Sequence, residues 1–313
     1  MNETDIQPQV GQAGTVEQDK IDISIVVAFY NAESHIENCA RALLEQNYPA
    51  TRYEIIMVDN NSTDNSVALL RKYPRIKLLS ERKQGPYAAR NRGVTAAKGD
   101  LLAFTDADCN PARDWLQQMV RSLSSPDIGL VQGRRFYGNE SPVLSMLAAY
   151  ESERAAFTFS TKSRGLYYGY TNNMAVRREV FNCSGPFLEI MRGADSIFVH
   201  RVIADYSCDA VRYDRDAHIR HLELTSIWSY LHKRFIYGKS LQLNYKRRKS
   251  AHRAITFAER SEIIKRTVER EGYSAPGTLC LIVFVFMGML CFTAGRLYIK
   301  LGELIKDLFH RAE

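Results

Sequence analysis

Several common chemistries have no signature in this sequence. The first predicted strand-to-helix turn lacks G-x-G-x-x-G, which argues against a dinucleotide-binding domain. There is no P-loop, no G-x-S-x-G around a nucleophilic serine, and no H-E-x-x-H among seven histidines. Six cysteines, at 39, 109, 183, 208, 280 and 291, form no C-x-x-C pair and follow no metal-ligand spacing. They read as small buried hydrophobes in a reduced, intracellular protein. Residues 1–20 are polar and Gln-rich, with no apolar core and no basic start. They do not read as a secretory signal, and a disordered tail is expected. No internal repeat is visible. No nucleic-acid-binding module is recognisable either, so nucleic acid is not an expected partner.

What is present is ordinary in amount and uneven in placement. The chain has 313 residues, 45% hydrophobic and 25% charged, with 42 Lys+Arg, 35 Asp+Glu and a net charge of +7. Residues 232–270 alone hold 12 Lys/Arg and 3 Asp/Glu, a local +9, which leaves the rest of the chain close to neutral. Such a segment attracts phosphates or an anionic membrane surface; the alternative is a solvated helix face. Just after it, residues 278–295 read TLCLIVFVFMGMLCFTAG, 18 residues without a charge. As a helix this run spans about 27 Å, close to the ~30 Å hydrocarbon thickness of a bilayer. Pro276-Gly277 suits its start and Arg296 its end. Leu297, Leu301, Leu304, Ile305 and Leu308 then recur at helical spacing opposite Lys300, Glu303, Lys306 and Asp307. That amphipathic stripe suits a membrane surface or a partner helix, including one from a second copy. The expected organisation is a tail at 1–20, a catalytic domain at 21–231, a basic helical segment at 232–275 and an apolar membrane segment with an amphipathic helix at 276–313.

The first half alternates two periods. Strands are predicted at 23–28, 53–58, 76–79 and 101–104, and helices at 33–46, 64–72 and 86–97. This alternation means β-α-β units and an α/β fold with a mostly parallel sheet. Ligands of such sheets sit at the carboxyl ends of the strands. There the sequence places Phe29-Tyr30-Asn31, the polar run from Asp59 to Asp64, and Thr105-Asp106-Ala107-Asp108. Two acids at i and i+2 repel each other, and a hard divalent cation offsets this while sharing its coordination with substrate phosphates. The alternative is a turn in which aspartates accept from backbone N–H groups.

Together these stretches resemble the family-2 inverting nucleotide-sugar glycosyltransferases of the GT-A fold. The matching stretches are IVVAFYN (25–31), EIIMVDNNSTD (54–64), ARNRG (89–93), AFTDAD (103–108), TNNMAVR (171–177) and RGAD (192–195), within roughly 21–240. The resemblance implies a Rossmann-like nucleotide-binding domain, a nucleoside-diphosphate sugar donor, and Mg²⁺ or Mn²⁺ as cofactor. It implies that Phe29, Tyr30 and Asn31 line the nucleotide pocket, that Asp59 contacts the base, and that Arg90 lies near base or diphosphate. Asp106 would meet the ribose and the metal, and Asp108 the metal. The family's base lies in an acidic motif, often Glu-Asp. Here Ala194 stands at the Glu position and Asp195 is kept as the base, at the start of a helix expected from Ser196. His221 would complete the metal or diphosphate shell, Arg234 or Lys239 would hold phosphate, and Asn172 and Asn173 would face sugar hydroxyls. Tyr167, Tyr168 and Tyr170 would stack on a sugar or line the acceptor site. The acceptor expected is a lipid-linked or cell-surface glycan hydroxyl, with the catalytic domain on the cytoplasmic face of a membrane. Two other readings are a phosphotransferase of the haloacid-dehalogenase type, with an aspartyl nucleophile at Asp106, and a non-catalytic membrane scaffold. The first is disfavoured because three strands precede the D-x-D.

Overall fold

The computed structural model describes residues 20–137, 141–222, 224–243 and 253–310, with side chains up to 302. Nearly all of the expected tail, residues 244–252 of the basic segment and the side chains of Leu304, Ile305 and Leu308 lie outside the described residues.

The first half follows the predicted alternation: β1 (Ile23–Phe29), α1 (Ile36–Leu44), β2 (Tyr53–Asp59), α2 (Ser66–Leu70), β3 (Ile76–Ser80), α3 (Pro86–Ala96) and β4 (Leu101–Asp106). β1 is buried along nearly its whole length, as a central parallel strand covered on both faces must be. Helix α1 starts three residues later than periodicity suggests. The loop before it is tied to the loop after β2: the backbone N–H groups of Ala32 and Glu33 donate to Ser66 Oγ and Asp64 Oδ2, both at 2.9 Å.

The second half comprises β5 (Cys109–Pro111), α4 (Trp115–Leu123), β6 (Leu130–Tyr137), α5 (Pro142–Ser160), β7 (Asn173–Arg177), α6 (Arg178–Ser184), α7 (Ala194–Asp205) and β8 (Val211–His221). One eight-stranded sheet results, in the order β3-β2-β1-β4-β7-β6-β8-β5. β1 to β4 run parallel, as does the β6–β8 pair. β7 lies antiparallel between β4 and β6, and β5 is antiparallel to β8. The sheet is therefore mostly parallel, as expected, with its departures confined to the second half. Leu43, Trp115, Ile25 and Val27 pack on one face, and Val26, Phe104, Phe187 and Phe198 on the other.

Three helices complete the chain: α8 (Ile227–Leu243), α9 (Phe257–Glu271) and α10 (Ala275–His310). α8 runs across the boundary expected at 231/232. α9 opens with a capping box, in which Thr256 N–H donates to Glu259 at 2.8 Å and Glu259 N–H donates back to Thr256 Oγ1. α10 does not end at Arg296; the apolar run and the amphipathic stripe form one helix of 36 residues. These helices share a core with α5, built from Leu144, Leu147, Tyr150, Leu231, Ile263 and Leu281.

Candidate active site

The carboxyl ends of β1, β2 and β4 form a polar rim held by side-chain bonds between its loops. Asn31, at φ 46°, accepts from Thr63 N–H at 2.8 Å, while its own N–H donates to Ser62 Oγ at 3.0 Å. Asp59 Oδ1 accepts from Ser62 N–H at 3.0 Å. Tyr30 is 53% exposed, but the Phe29 ring is buried in the core. Of the three residues expected to line the pocket, Phe29 thus gives its side chain to packing, because strand alternation turns it inward. Sequence reasoning did not single out Asn60. Its amide donates to the carbonyls of Glu81 and Lys83 and accepts from Gly85 N–H, joining the end of β2 to the entry of α3. A buried polar residue inside an otherwise exposed loop run carries no sequence signal that separates it from Asn61.

α3 brings Arg90 to the rim. Its guanidinium is buried, pairs with Asp106 Oδ1 and lies 5.2 Å from the centre of the Tyr87 ring. Burial opposes the charge of Arg90, but Asp106 and Tyr87 outweigh it and hold the group protonated. The Tyr87 hydroxyl is pushed well above its ordinary value by burial and by the neighbouring charge of Asp195. Asp106, Arg90, Tyr87 and Asp195 thus form one electrostatic chain from the end of β4 to the start of α7. Helix α7 begins at Ala194, two residues before the expected Ser196. Gly193, at φ 86°, is its N-cap, so Asp195 lies in the first turn instead of capping it. A Cβ on Gly169 would meet the Asp195 carbonyl oxygen at 2.5 Å, so the approach of loop 167–171 to this turn requires glycine.

Asp108 lies on the far side of Ala107. Its Oδ2 is 3.5 Å from His221 Nε2, and its Oδ1 is 3.5 Å from Cys109 Sγ. The pairing of Cys109 with His221 across β5 and β8 creates this cluster, whose ligand atoms lie within 4.8 Å of one another. The carboxylate suits Mg²⁺ or Mn²⁺, and the imidazole beside it favours a transition metal such as Mn²⁺ over Mg²⁺. Cys109 is a poor partner for such an ion, since burial and Asp108 push its thiol well above the ordinary range. Lys233 from α8 also reaches the cluster, with Nζ 3.0 Å from His221 Nε2.

Arg234 and Lys239, the cations expected to hold phosphate, have other neighbours in the structure. Arg234 bonds to Glu151 Oε1 at 3.4 Å and lies over the Phe292 ring, while Lys239 lies over Phe235 and Tyr298. Tyr230, Arg234 and Gly238 share one helical stripe by i, i+4 spacing, and the stripe faces the neighbouring helices. Lys233 falls off that stripe and meets the rim; the helical period was the signal that could have found it. The two asparagines also divide. Asn173 is wholly buried and satisfied: its amide donates to the carbonyls of Arg134 and Ala217 and accepts from Trp115 Nε1–H at 2.8 Å. Both of its amide N–H groups are engaged within the core. Asn172 Oδ1 is buried with no hydrogen-bond partner among the described residues. Tyr167 is core, donating to the Phe159 carbonyl, and Tyr170 donates to the Gly133 carbonyl beneath the Arg135 guanidinium. Tyr168 is half-buried with its hydroxyl unpartnered among the described residues.

With this geometry in place, comparison with known proteins is decisive about ancestry. The sequence profile described as glycosyl transferase family 2 matches residues 24–185, half of the chain. The chain belongs to glycosyl transferase family 2. Among curated family members, the glycosyltransferase AglE of Haloferax volcanii is 32% identical over 172 residues, 53% of this chain and 55% of that protein. The beta-monoglucosyldiacylglycerol synthase of Synechocystis sp. is 32% identical over 138 residues, 42% of this chain and 28% of that protein. The chain thus matches about half or less of the length of these relatives. A solved structure of the mannosyltransferase PcManGT of Pyrobaculum calidifontis, in complex with GDP-Man and Mn²⁺, superposes with a TM-score of 0.63 at 19% identity, covering 90% of this chain and 88% of that one. The S. aureus TarS fragment 1-349 with UDP-GlcNAc superposes with a TM-score of 0.53 at 17% identity, covering 80% and 72%. These likenesses establish the GT-A type of fold. Family membership also removes the haloacid-dehalogenase reading.

Proposed function

We propose that this chain is an inverting glycosyltransferase that moves a sugar from a nucleoside-diphosphate sugar to a hydroxyl of a lipid-linked or cell-surface glycan acceptor, at the cytoplasmic face of a membrane. The observation that carries the reading is the single rim on which Asp106, Asp108, His221, Arg90 and Asp195 meet. Tyr30, Asn31 and Asp59 would receive the nucleoside at the edge of β1 and β2, and Asp106 its ribose. Arg90 holds Asp106 in place through their ion pair. Asp108 and His221 would hold Mg²⁺ or Mn²⁺, which would neutralise charge on the leaving diphosphate. Lys233, already at His221, is placed to pair with the same phosphates.

Asp195 would take the proton from the acceptor hydroxyl as that oxygen attacks the anomeric carbon from the face opposite the departing diphosphate. A carboxylate suffices, because the hydroxyl acidifies as the bond forms. The first turn of a helix packed on Gly169 is a rigid place from which to do so. Asn172 Oδ1 and the Tyr168 hydroxyl, both buried and unpartnered among the described residues, are acceptors or donors for sugar hydroxyls. The lipid-type acceptor is supported by the exposed apolar face of α10 and by a relative named for glucosylating diacylglycerol. The test is a panel of sugar nucleotides assayed for hydrolysis and transfer with Mn²⁺, alongside binding of the corresponding nucleoside diphosphates. Binding of one nucleotide with turnover of one of its sugars is the expected result. No binding and no turnover across the panel would favour the scaffold reading.

A further inference from the structure

α10 has two faces over its whole apolar length. Leu281, Val285, Gly288 and Gly295 are buried against α5 and α8, with Phe284, Cys291 and Phe292 half-buried beside them. On the other side Leu279, Ile282, Val283, Phe286, Leu290 and Leu297 are exposed. The inner face is held tightly. A Cβ on Gly238 of α8 would collide with the Phe292 carbonyl oxygen, and one on Gly295 of α10 with the Phe235 carbonyl oxygen. The two backbones touch at a reciprocal pair of glycines, the contact that brings helices closest.

Adjacent residues of α8 then connect this crossing to the rim. Lys233 reaches His221 Nε2, and Arg234 lies over Phe292 with its side chain against Gly288, near the centre of the apolar run. One helix, about 8–10 Å between axes, separates that centre from the cluster of Asp108 and His221. If residues 278–295 crossed a bilayer, Arg234, Glu151, Arg154 and the cluster would lie at hydrocarbon depth. Charges there are costly, and a nucleoside diphosphate would have no aqueous route to the rim. A helix lying along the surface meets neither difficulty.

We infer that α10 is an in-plane anchor: its outer face enters one leaflet of an anionic phospholipid bilayer while its inner face stays on the protein. The inference rests on the proposed reading of the rim as the donor site. Charge complementarity favours this occupant over a second copy of the chain. The flank at 232–270 carries 12 Lys/Arg against 3 Asp/Glu, a basic excess even with Lys233, Arg234 and Arg270 turned to partners within the protein, and Lys300 is exposed beside Leu301. Trp228 and Phe257, 81% and 86% exposed on α8 and at the start of α9, are aromatic residues of the kind that settle at the headgroup level.

The experiment uses the full chain, with a protease site appended at each terminus, reconstituted into phosphatidylcholine vesicles with and without phosphatidylglycerol. The expected result is flotation with the phosphatidylglycerol vesicles and cleavage of both termini from the same side. Phe286→Glu and Leu290→Glu, both on the outer face, should each lower vesicle binding roughly tenfold or more while nucleoside-diphosphate binding by calorimetry is unchanged. Cleavage of the two termini from opposite sides would overturn the in-plane anchor and leave the glycosyltransferase reading standing. So would a vesicle-free dimer that either glutamate dissociates, since a second copy would then cover the face. In-plane binding without turnover of any sugar nucleotide would instead sink the functional reading and leave the anchor in place.

Discussion

The rim of the sheet and the helical layer behind it both pair acids with cations, in different surroundings: the Asp106 side chain at the rim is 31% exposed, that of Glu151 in the layer 7%. In the helical layer, Glu151 meets Arg154 at 2.5 Å, Arg234 at 3.4 Å and the Tyr230 hydroxyl at 3.3 Å. Glu153 meets Arg215 at 2.6 Å and Arg270 at 2.5 Å. Each buried carboxylate there is surrounded by more than one cation. At the rim Arg90 pairs with Asp106, while Lys233 approaches the cluster of Asp108 and His221. The pairs of the helical layer close a structural network, whereas the rim lies at the open edge of the sheet, where an incoming cation and its phosphates would bind on the proposed reading. The same chemistry would thus serve cohesion in one layer and binding in the other.

The comparison is broken most directly by taking one acid from each layer. Asp195→Asn should lower transfer by about 10²–10⁴-fold, the usual worth of a positioned base, with nucleotide binding and melting temperature little changed. Unchanged turnover would remove Asp195 from the mechanism. Glu151→Gln should do the reverse. It leaves Arg154 and Arg234 buried without their carboxylate, at a cost of about 3–5 kcal/mol, read in a denaturant titration. Burial alone would raise the Glu151 pKa, but Arg154, Arg234 and Arg135 hold it below the ordinary 4.5. Its folded value is therefore depressed, so the stability it contributes is full above about pH 4.5 and is lost as the pH falls through the folded value. Wild type should lose stability on acidification more steeply than Glu151→Gln, and parallel acid profiles would contradict this.

The asparagine pair sharpens the comparison within a single dipeptide. Asn173→Ala strands Trp115 Nε1–H and two carbonyls and should cost about 1–3 kcal/mol in a thermal melt. Asn172→Ala removes an acceptor that has no partner among the described residues, and should leave stability within about 0.5 kcal/mol while raising KM for donor or acceptor. The smallest effect belongs to Lys233→Gln. Loss of its ammonium should tighten Mn²⁺ binding, measured by electron paramagnetic resonance, by up to roughly tenfold, and should weaken nucleoside-diphosphate binding without metal. Equal Mn²⁺ affinity in both proteins would show that Lys233 and the ion do not share a site.

The first four strands were legible because each is an apolar run bounded by turn residues, and a parallel strand buried on both faces leaves no other pattern. The rim followed, since strand ends collect the ligand-facing residues of such a sheet. Asn172 and Asn173 were not separable, because the first ends a turn and the second opens β7, and nothing in N-N says where the strand begins or which side is core. Arg234, Lys239 and Lys233 were not separable either: all three are cations on one helix, and their order along the chain does not say which lies beside His221.

The α/β class, the D-x-D at the end of the fourth strand and the apolar run near the C-terminus are properties of local pattern and spacing, and the chain alone determines them. The antiparallel β7 within the sheet, the pairing of Asp108 with His221, the arrival of Lys233 and the two-faced burial of α10 are not. Each depends on contacts between residues more than ten positions apart, whose cost and reward are set by packing and desolvation in the folded chain; helical period separates Lys233 from Arg234 but does not say which neighbour either one meets.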